Sequence, residues 1–399
     1  MTEPTDRERV VVDGGTVVTP HRSHEGGRVV IEGDRIVDVD PGGNSAESPA
    51  RAEGSTRRID ASGEYVLPGL VDLHGDDVER YLCPRSGERV DSTAALATAD
   101  RLTLAAGVTT KFDAIAFEEA PEKNRSIEGA TELLDAVADG AGLAADHRVH
   151  ARCELTDAAS VACVGDLADR PIVDVVSLMA HVPGRGQFDD EDAFAQRYTD
   201  GRGAVADEAA RAGRDRRGVA AATLRERIAD LTDELASAGV TLASHDDADP
   251  AAVDHAVDHG VDLCEYPVSL SAARRATERG AATAMGAPNL VRGGSLWGNL
   301  DAREAIEEGV VDVLCSDYRP EALLASVFVD TGEPIERRVA RVTREPARVA
   351  GLDDRGELVP GARADLVVVD PDPVPTVTRA FVAGRDAYHC RGGGNARDR

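Results

Sequence analysis

Donor side chains recur where short apolar runs end. VLPGLVDLH closes on His74 and is followed by Gly75-Asp76. RVHARCEL carries Glu154, PIVDVVSLMAH closes on His181, GVTLASHDD holds His245 and VDVLCSDY holds Asp317. A strand shows alternate residues on one face, so His74 and Asp76 point the same way. Imidazole and carboxylate groups gathered at one place are what one or two divalent ions require. A single histidine at a strand end is more often a satisfied polar residue than a ligand. The argument therefore rests on the joint pattern of ligand-type residues at five strand ends. His147 and His150 stand toward the start of their run and are set aside. His255 and His259, four residues apart in a helical stretch, read as an exposed helix face.

The elements that must position these donors follow from the same runs. Eight apolar runs alternate with alanine-rich, charged stretches of helical character: VLPGLVDLH, GVTTKFDAIA, RVHARCEL, PIVDVVSLMAH, GVTLASHDD, VDLCEYPVS, AATAMGAPN and VDVLCSDY. Strands alternating with helices make a parallel sheet, and eight of them suit a closed (β/α)₈ barrel over residues 66–352. In such a barrel, strand C-terminal ends face the active site. Residues 1–65 and 353–390 read instead as short alternating strands that join into a small β-sandwich beside the barrel. Gly33-Asp34 lies between two β-branched runs and predicts a hairpin. Residues 42–57 read as a surface loop, 184–239 as extra helices and a mobile lid, and 391–399 as a disordered tail.

The formal net charge is −28, and lysine occurs only at positions 111 and 123. The acid is dispersed along the chain. Such an excess keeps a protein soluble by self-repulsion, a device of halophilic proteins. No basic stripe exists to neutralise phosphates, which argues against nucleic-acid binding. No apolar run reaches membrane-spanning length and no secretory leader is legible at the N-terminus, so a cytoplasmic protein without a membrane partner is expected. Cysteines 83, 153, 163, 264, 315 and 390 form no CxxC pair and are expected to be reduced.

Longer motifs carry a resemblance. Leu67-Pro68-Gly69-Leu70-Val71-Asp72-Leu73-His74 resembles the first barrel strand of the amidohydrolase superfamily, and Gly361–Val367 its return to the β-sandwich. DLHGDDVERYLCPR, HARCEL, VVSLMAHVPGRGQF, LASHDD, MGAPNLVRGGSLWGN and LCSDYRP together resemble the α-D-ribose 1-methylphosphonate 5-triphosphate diphosphatases, the PhnM family of phosphonate catabolism. The resemblance spans about residues 60–370. It implies hydrolysis of a ribosyl triphosphate to the 5-phosphate, with release of diphosphate. It further implies one or two divalent ions, zinc foremost, with manganese, iron or magnesium as alternatives. By motif position the ligands are His74, Asp76, His181, His245 and the bridging carboxylate Glu154, with Asp317 as general base. Many superfamily members bridge two metals with a carbamylated lysine. No lysine stands at the matching position here, which leaves a glutamate bridge. Two positions depart from the family pattern: Ala180 where an aspartate is usual, and Leu296-Trp297 where a histidine is usual.

A triphosphate substrate needs cations. Guanidinium forks match phosphate oxygens, and Arg85, Arg152, Arg185 and Arg292 stand in or beside the motifs. Gly293-Gly294 follows Arg292 and would let backbone N–H groups approach an anion. Asp246 or Asp247 would orient the neighbouring histidine, as carboxylates commonly do. The expected partner is a small phosphorylated molecule, and self-association is left open. Two readings compete. One is another amidohydrolase, a deacetylase, a dihydroorotase-like enzyme or a deaminase, acting on a C–N bond. The other is a scaffold without catalysis, which would have no reason to keep such a donor set.

Overall fold

The computed structural model describes residues 9–40, 56–85, 87–182, 216 and 218–390. Arg185, the expected loop through residue 55, the expected lid from 184 to 215 and the tail 391–399 lie outside the described residues.

The chain begins with β1 (Arg9–Val18), β2 (Ser23–Glu32), β3 (Arg35–Asp40), β4 (Thr56–Asp60) and β5 (Tyr65–Pro68). β2 and β3 form the hairpin expected at Gly33-Asp34, with Glu32 paired to Arg35 and Gly33 at φ 63°. A left-handed residue at this corner matches the twist of the strands, and glycine adopts it without strain.

Eight strands follow in one parallel sheet: β6 (Leu70–Gly75), β7 (Val108–Phe117), β8 (Asp146–Glu154), β9 (Val173–Met179), β10 (Thr241–His245), β11 (Leu263–Glu265), β12 (Ala282–Gly286) and β13 (Val313–Cys315). They coincide with the eight apolar runs. Helices such as Ser92–Ala105 and Ile127–Asp139 lie between them. Aspartate or serine caps open several: Asp91 accepts from Ala94 N, Ser126 from Gly129 N and Ser269 from Ala272 N. The first and last strands meet through a bridge between Gly75 and Asp317. Strand order thus runs β6 to β13 and closes on itself, which is a nearly closed (β/α)₈ barrel.

The chain ends in β14 (Leu366–Asp370), β15 (Thr376–Val382) and β16 (Arg385–His389). β14 pairs antiparallel with β5, from Leu366 opposite Pro68 to Val369 opposite Tyr65. The two chain ends therefore share one sheet, in the order β16-β15-β14-β5-β1-β2-β3. Because β5 leads straight into β6, this sheet sets where the first barrel strand starts.

Alternation within the barrel decides what faces the axis. In β8, Val149, Ala151 and Cys153 pack in a core that includes Leu96, Leu134 and Leu231 from the surrounding helices. His150, Arg152 and Glu154 take the opposite face. Val71, Phe112, Val175, Ala243, Leu263, Ala284 and Val313 form a separate apolar cluster contributed by seven of the strands. All six cysteines are free thiols. Among the described residues, no helix is long and apolar enough to cross a membrane.

Candidate active site

A cavity of about 390 Å³ opens where the barrel strands end. His74, Asp76, His181, His245 and Asp317 line it, as do Asp246, Arg152 and Arg292. Lys123 and Arg125, which sequence reasoning did not single out, also line it. Each donor sits at or just past the end of its strand, so one ring of termini gathers residues far apart in sequence.

Among the described residues, two groups of side chains could hold a metal ion: His74 with His150 and Glu265, and His181 with His245 and Asp246. Within each group the ligand atoms lie within 4.8 Å of one another. Glu265 joins the groups. Its Oε1 is 3.0 Å from His74 Nδ1, and its Oε2 is 3.5 Å from His245 Nδ1 and 3.7 Å from His150 Nε2. The rings of His74 and His245 stack with centroids 5.6 Å apart. Burial pushes the Glu265 carboxyl up, but the imidazoles of His74 and His150 hold it well below the usual range.

His181 Nδ1 lies 2.7 Å from Glu154 Oε2. That contact places the proton on Nδ1 and the lone pair on Nε2. Burial pulls the His181 imidazole down to about 4, against the opposing pull of Glu154. It is therefore neutral near pH 7, as a metal ligand must be. His150 is different in kind. Its Nδ1 is 2.7 Å from the Leu73 carbonyl and its Nε2 is 2.5 Å from Ser177 Oγ, so both ring nitrogens are engaged inside the barrel. The imidazole and carboxylate composition fits zinc and its first-row neighbours.

Backbone strain collects at the same place. Asp246, Tyr266 and Asp317 have φ of 60°, 51° and 55°, where non-glycine residues are uncommon. Each immediately follows or lies just past a strand end, and each amide is pinned to a neighbouring strand: Asp246 N to Glu265 O, Tyr266 N to Ala284 O, Asp317 N to His74 O. Positions of this kind cost on the order of 1–3 kcal/mol and persist where the surroundings over-determine them. Here they end three strands abruptly at the rim of one cavity.

The remaining expected residues are held by contacts of their own. Glu154 belongs to neither metal-type group. Its Oε2 is shared between His181 and Arg216 Nη1, the latter at 2.9 Å, and its Oε1 accepts from Thr156. Burial opposes ionisation, yet Arg216 and His181 bring this carboxyl down to about 2. Arg216 also reaches Glu118, which accepts from Lys123 and Arg125 as well. Arg152 Nη1 stands 3.4 Å from Asp76 Oδ2. Asp247 turns to Ser244 Oγ at 2.5 Å, so the carboxylate beside His245 is Asp246, at 3.7 Å. Arg85 is exposed and does not line the cavity. The Gly293 and Gly294 amides donate to the Asn289 carbonyl and end the helix Ala287–Arg292. That corrects the expectation of an anion nest: both N–H groups are engaged in a helix C-cap.

The sequence profile of the amidohydrolase family matches residues 321–380. The α-D-ribose 1-methylphosphonate 5-triphosphate diphosphatase of Escherichia coli (strain K12) is 33% identical over 339 residues, covering 81% of this chain and 89% of that protein. The chain belongs to the amidohydrolase family, in the group that holds this diphosphatase. It is a hydrolase. Solved amidohydrolase-type structures share its fold. Phenylurea hydrolase B superposes with a TM-score of 0.63 at 16% identity, over 95% of this chain and 96% of that one. The dihydropyrimidinase of Brevibacillus agri gives 0.61 at 13% identity, over 96% and 95%.

Two features of this amidohydrolase escaped sequence reasoning. Glu265 stands in the middle of the sixth apolar run but ends the strand that forms there, β11, which stops four residues before the run does. His150 shares the parity of Arg152 and Glu154 in β8, which begins at Asp146, so His150 lies mid-strand and faces inward. The buried Lys111 is no substitute for a bridging lysine. Its Nζ contacts Asp77 at 2.5 Å and Asp113 at 3.4 Å. Burial favours the neutral amine, but those carboxylates keep its pKa above the usual lysine range. A protonated amine has no lone pair with which to form a carbamate.

Proposed function

We propose that this amidohydrolase hydrolyses the α–β phosphoanhydride bond of α-D-ribose 1-methylphosphonate 5-triphosphate, releasing diphosphate and leaving the 5-phosphate. The observation that carries the reading is one cavity lined by both kinds of group: imidazoles and carboxylates suited to metal, and the cations Lys123, Arg125, Arg152 and Arg292. Arg292 meets the neutral oxygens of Tyr318 and Gly294, and an uncharged amide substrate would make no use of its charge. The diphosphatase of Escherichia coli is named for that triphosphate, and the chain covers most of its length.

His74, His181, His245, Asp76 and Asp246 would hold one or two divalent ions, zinc foremost. Glu265 and Glu154 accept from the Nδ1 atoms of His74 and His181 and so fix both rings. Bound there, divalent ions would lower the pKa of a water and offset charge on phosphoryl oxygens. Asp317 is the base. Its backbone N–H is held by the His74 carbonyl at 2.9 Å, and its own carbonyl accepts from Asp76 N at 3.0 Å, which fixes it beside both donors. It takes the proton as the water oxygen bonds to the α-phosphorus and diphosphate departs with the electrons of the broken bond. Arg292 and Arg152 meet the phosphate oxygens from the cavity wall.

The test is product analysis in oxygen-18 water. Diphosphate, with the label in the sugar 5-phosphate, is the expected result. Stepwise release of orthophosphate, or amide hydrolysis without any phosphate product, overturns the assignment.

A further inference from the structure

Leu296 and Trp297 are 57% and 40% exposed, and both line the mouth of the catalytic cavity. Trp297 is the only tryptophan in the chain. The loop carrying them is held from both sides. At its start, the Gly293 and Gly294 amides are tied to the Asn289 carbonyl. Ser295 Oγ then accepts from the amides of Trp297 and Asn299, at 3.3 and 3.1 Å. At its end, Asn289 Nδ2 donates to the Leu300 carbonyl and Asn289 Oδ1 accepts from the Ala302 amide, both at 3.0 Å. A surface turn has no need of its two largest side chains being apolar, and exposed apolar surface at a site rim marks a binding surface. Next to it, Arg292 Nη1 lies 3.3 Å from the Tyr318 hydroxyl, and both residues line the same cavity. A flat apolar lip thus adjoins a guanidinium, with carboxylates and imidazoles in the same cavity.

We infer that the Leu296–Trp297 lip stacks a nucleobase, and that nucleoside 5′-triphosphates are substrates of this site. The inference rests on the diphosphate-releasing reading above and widens its substrate class. A sugar phosphonate would offer the lip only hydroxyls and charge. A nucleobase offers a π face, which stacks on an aromatic side chain whatever its hydrogen-bonding pattern. The arginines would hold the triphosphate of either substrate. The reaction is a hydrolysis: the water oxygen bonds to the α-phosphorus and the bond from that phosphorus to the α–β bridging oxygen breaks. Diphosphate leaves with the bonding pair, the water proton passes to Asp317 and then to solvent, and the nucleoside monophosphate remains.

The single tryptophan makes intrinsic fluorescence a reporter of this lip. The metal-loaded protein is titrated with AMP and with ribose 5-phosphate, which differ by the base, and with α,β-methylene-ATP, which does not break at the α–β linkage. AMP and the ATP analogue should quench the fluorescence, and AMP should bind about 5- to 100-fold more tightly than ribose 5-phosphate. Calorimetry on Trp297→Ala should show that difference lost, and on Trp297→Phe largely kept. Equal affinity for AMP and ribose 5-phosphate in the unaltered protein, or a difference that survives Trp297→Ala, overturns the stacking site. If the ribosyl triphosphate is hydrolysed and ATP is not, the widened substrate class is wrong. If stacking holds but neither triphosphate yields diphosphate, the reaction assigned above fails instead.

Discussion

Oε1 of Glu265 stands 3.0 Å from Nδ1 of His74, and both side chains are buried. Glu265 ends the sixth barrel strand and His74 lies near the end of the first, so the contact crosses the barrel. It ties the first metal-type donor of the chain to a carboxylate that also faces His245.

Replacing Glu265 by Gln keeps the volume and removes the negative acceptor. A carboxylate that orients a ligand histidine typically contributes 10- to 100-fold, so metal affinity should fall by about that factor. Metal content after dialysis against graded chelator measures it. Retention equal to the unaltered protein would remove Glu265 from the centre.

Asp317→Asn tests the base. Asparagine, like aspartate, tolerates the left-handed backbone that this position has at φ 55°, so the fold should persist. Loss of a general base should lower kcat by about 10²–10⁴ with KM little changed. A variant with ordinary kcat would assign the proton transfer elsewhere.

Arg292→Ala should raise KM for the triphosphate by about 10- to 100-fold, the effect of one charge-assisted hydrogen bond. The change should be smaller for a monophosphate analogue. Arg85→Ala serves as the contrast, because Arg85 is exposed and away from the cavity. Steady-state kinetics on both variants decide, and equal effects would contradict the placement.

His147 sits in the second and third strands' shared charge network, with Nδ1 2.7 Å from Asp113 and Nε2 3.2 Å from Asp100. Burial lowers its pKa, but Asp113 and the hydrogen bonds to Asp100 and Asp113 outweigh that and raise it to about 9. A raised histidine stabilises the fold fully below the ordinary imidazole pKa near 6.5, and that stability is lost as pH climbs through about 9. Melting temperature should therefore decline between these values, and His147→Gln should flatten the decline. A parallel slope in both proteins would exclude His147 as its origin.

The formal charge of −28 predicts a strong response to salt. In molar KCl the Debye length falls to about 3 Å, so repulsion among dispersed carboxylates is screened. Melting temperature should rise steeply as KCl is added. A flat or falling curve would mean that other contacts dominate.

The eight barrel strands and the pairing of the two chain ends were legible in the sequence, because both depend on local periodicity: apolar runs at strand length, alternation, and glycine turns. Strand-end position alone also selected His74, Asp76, His181, His245 and Asp317, since a parallel barrel sends every strand terminus to one face. What the sequence could not show was which donor meets which. Glu265 was passed over, and His150 was set aside, because their roles depend on inward parity and on contacts made across the barrel axis. Glu154 was read as a bridge, yet in the fold it lies against His181 and Arg216, a pairing across 62 residues of chain. Gly293-Gly294 suited an anion nest in sequence, and the helix before it used their amides first. Periodicity is a property of neighbours along the chain. Partner choice belongs to atoms brought together only when the first and last strands close at Gly75 and Asp317.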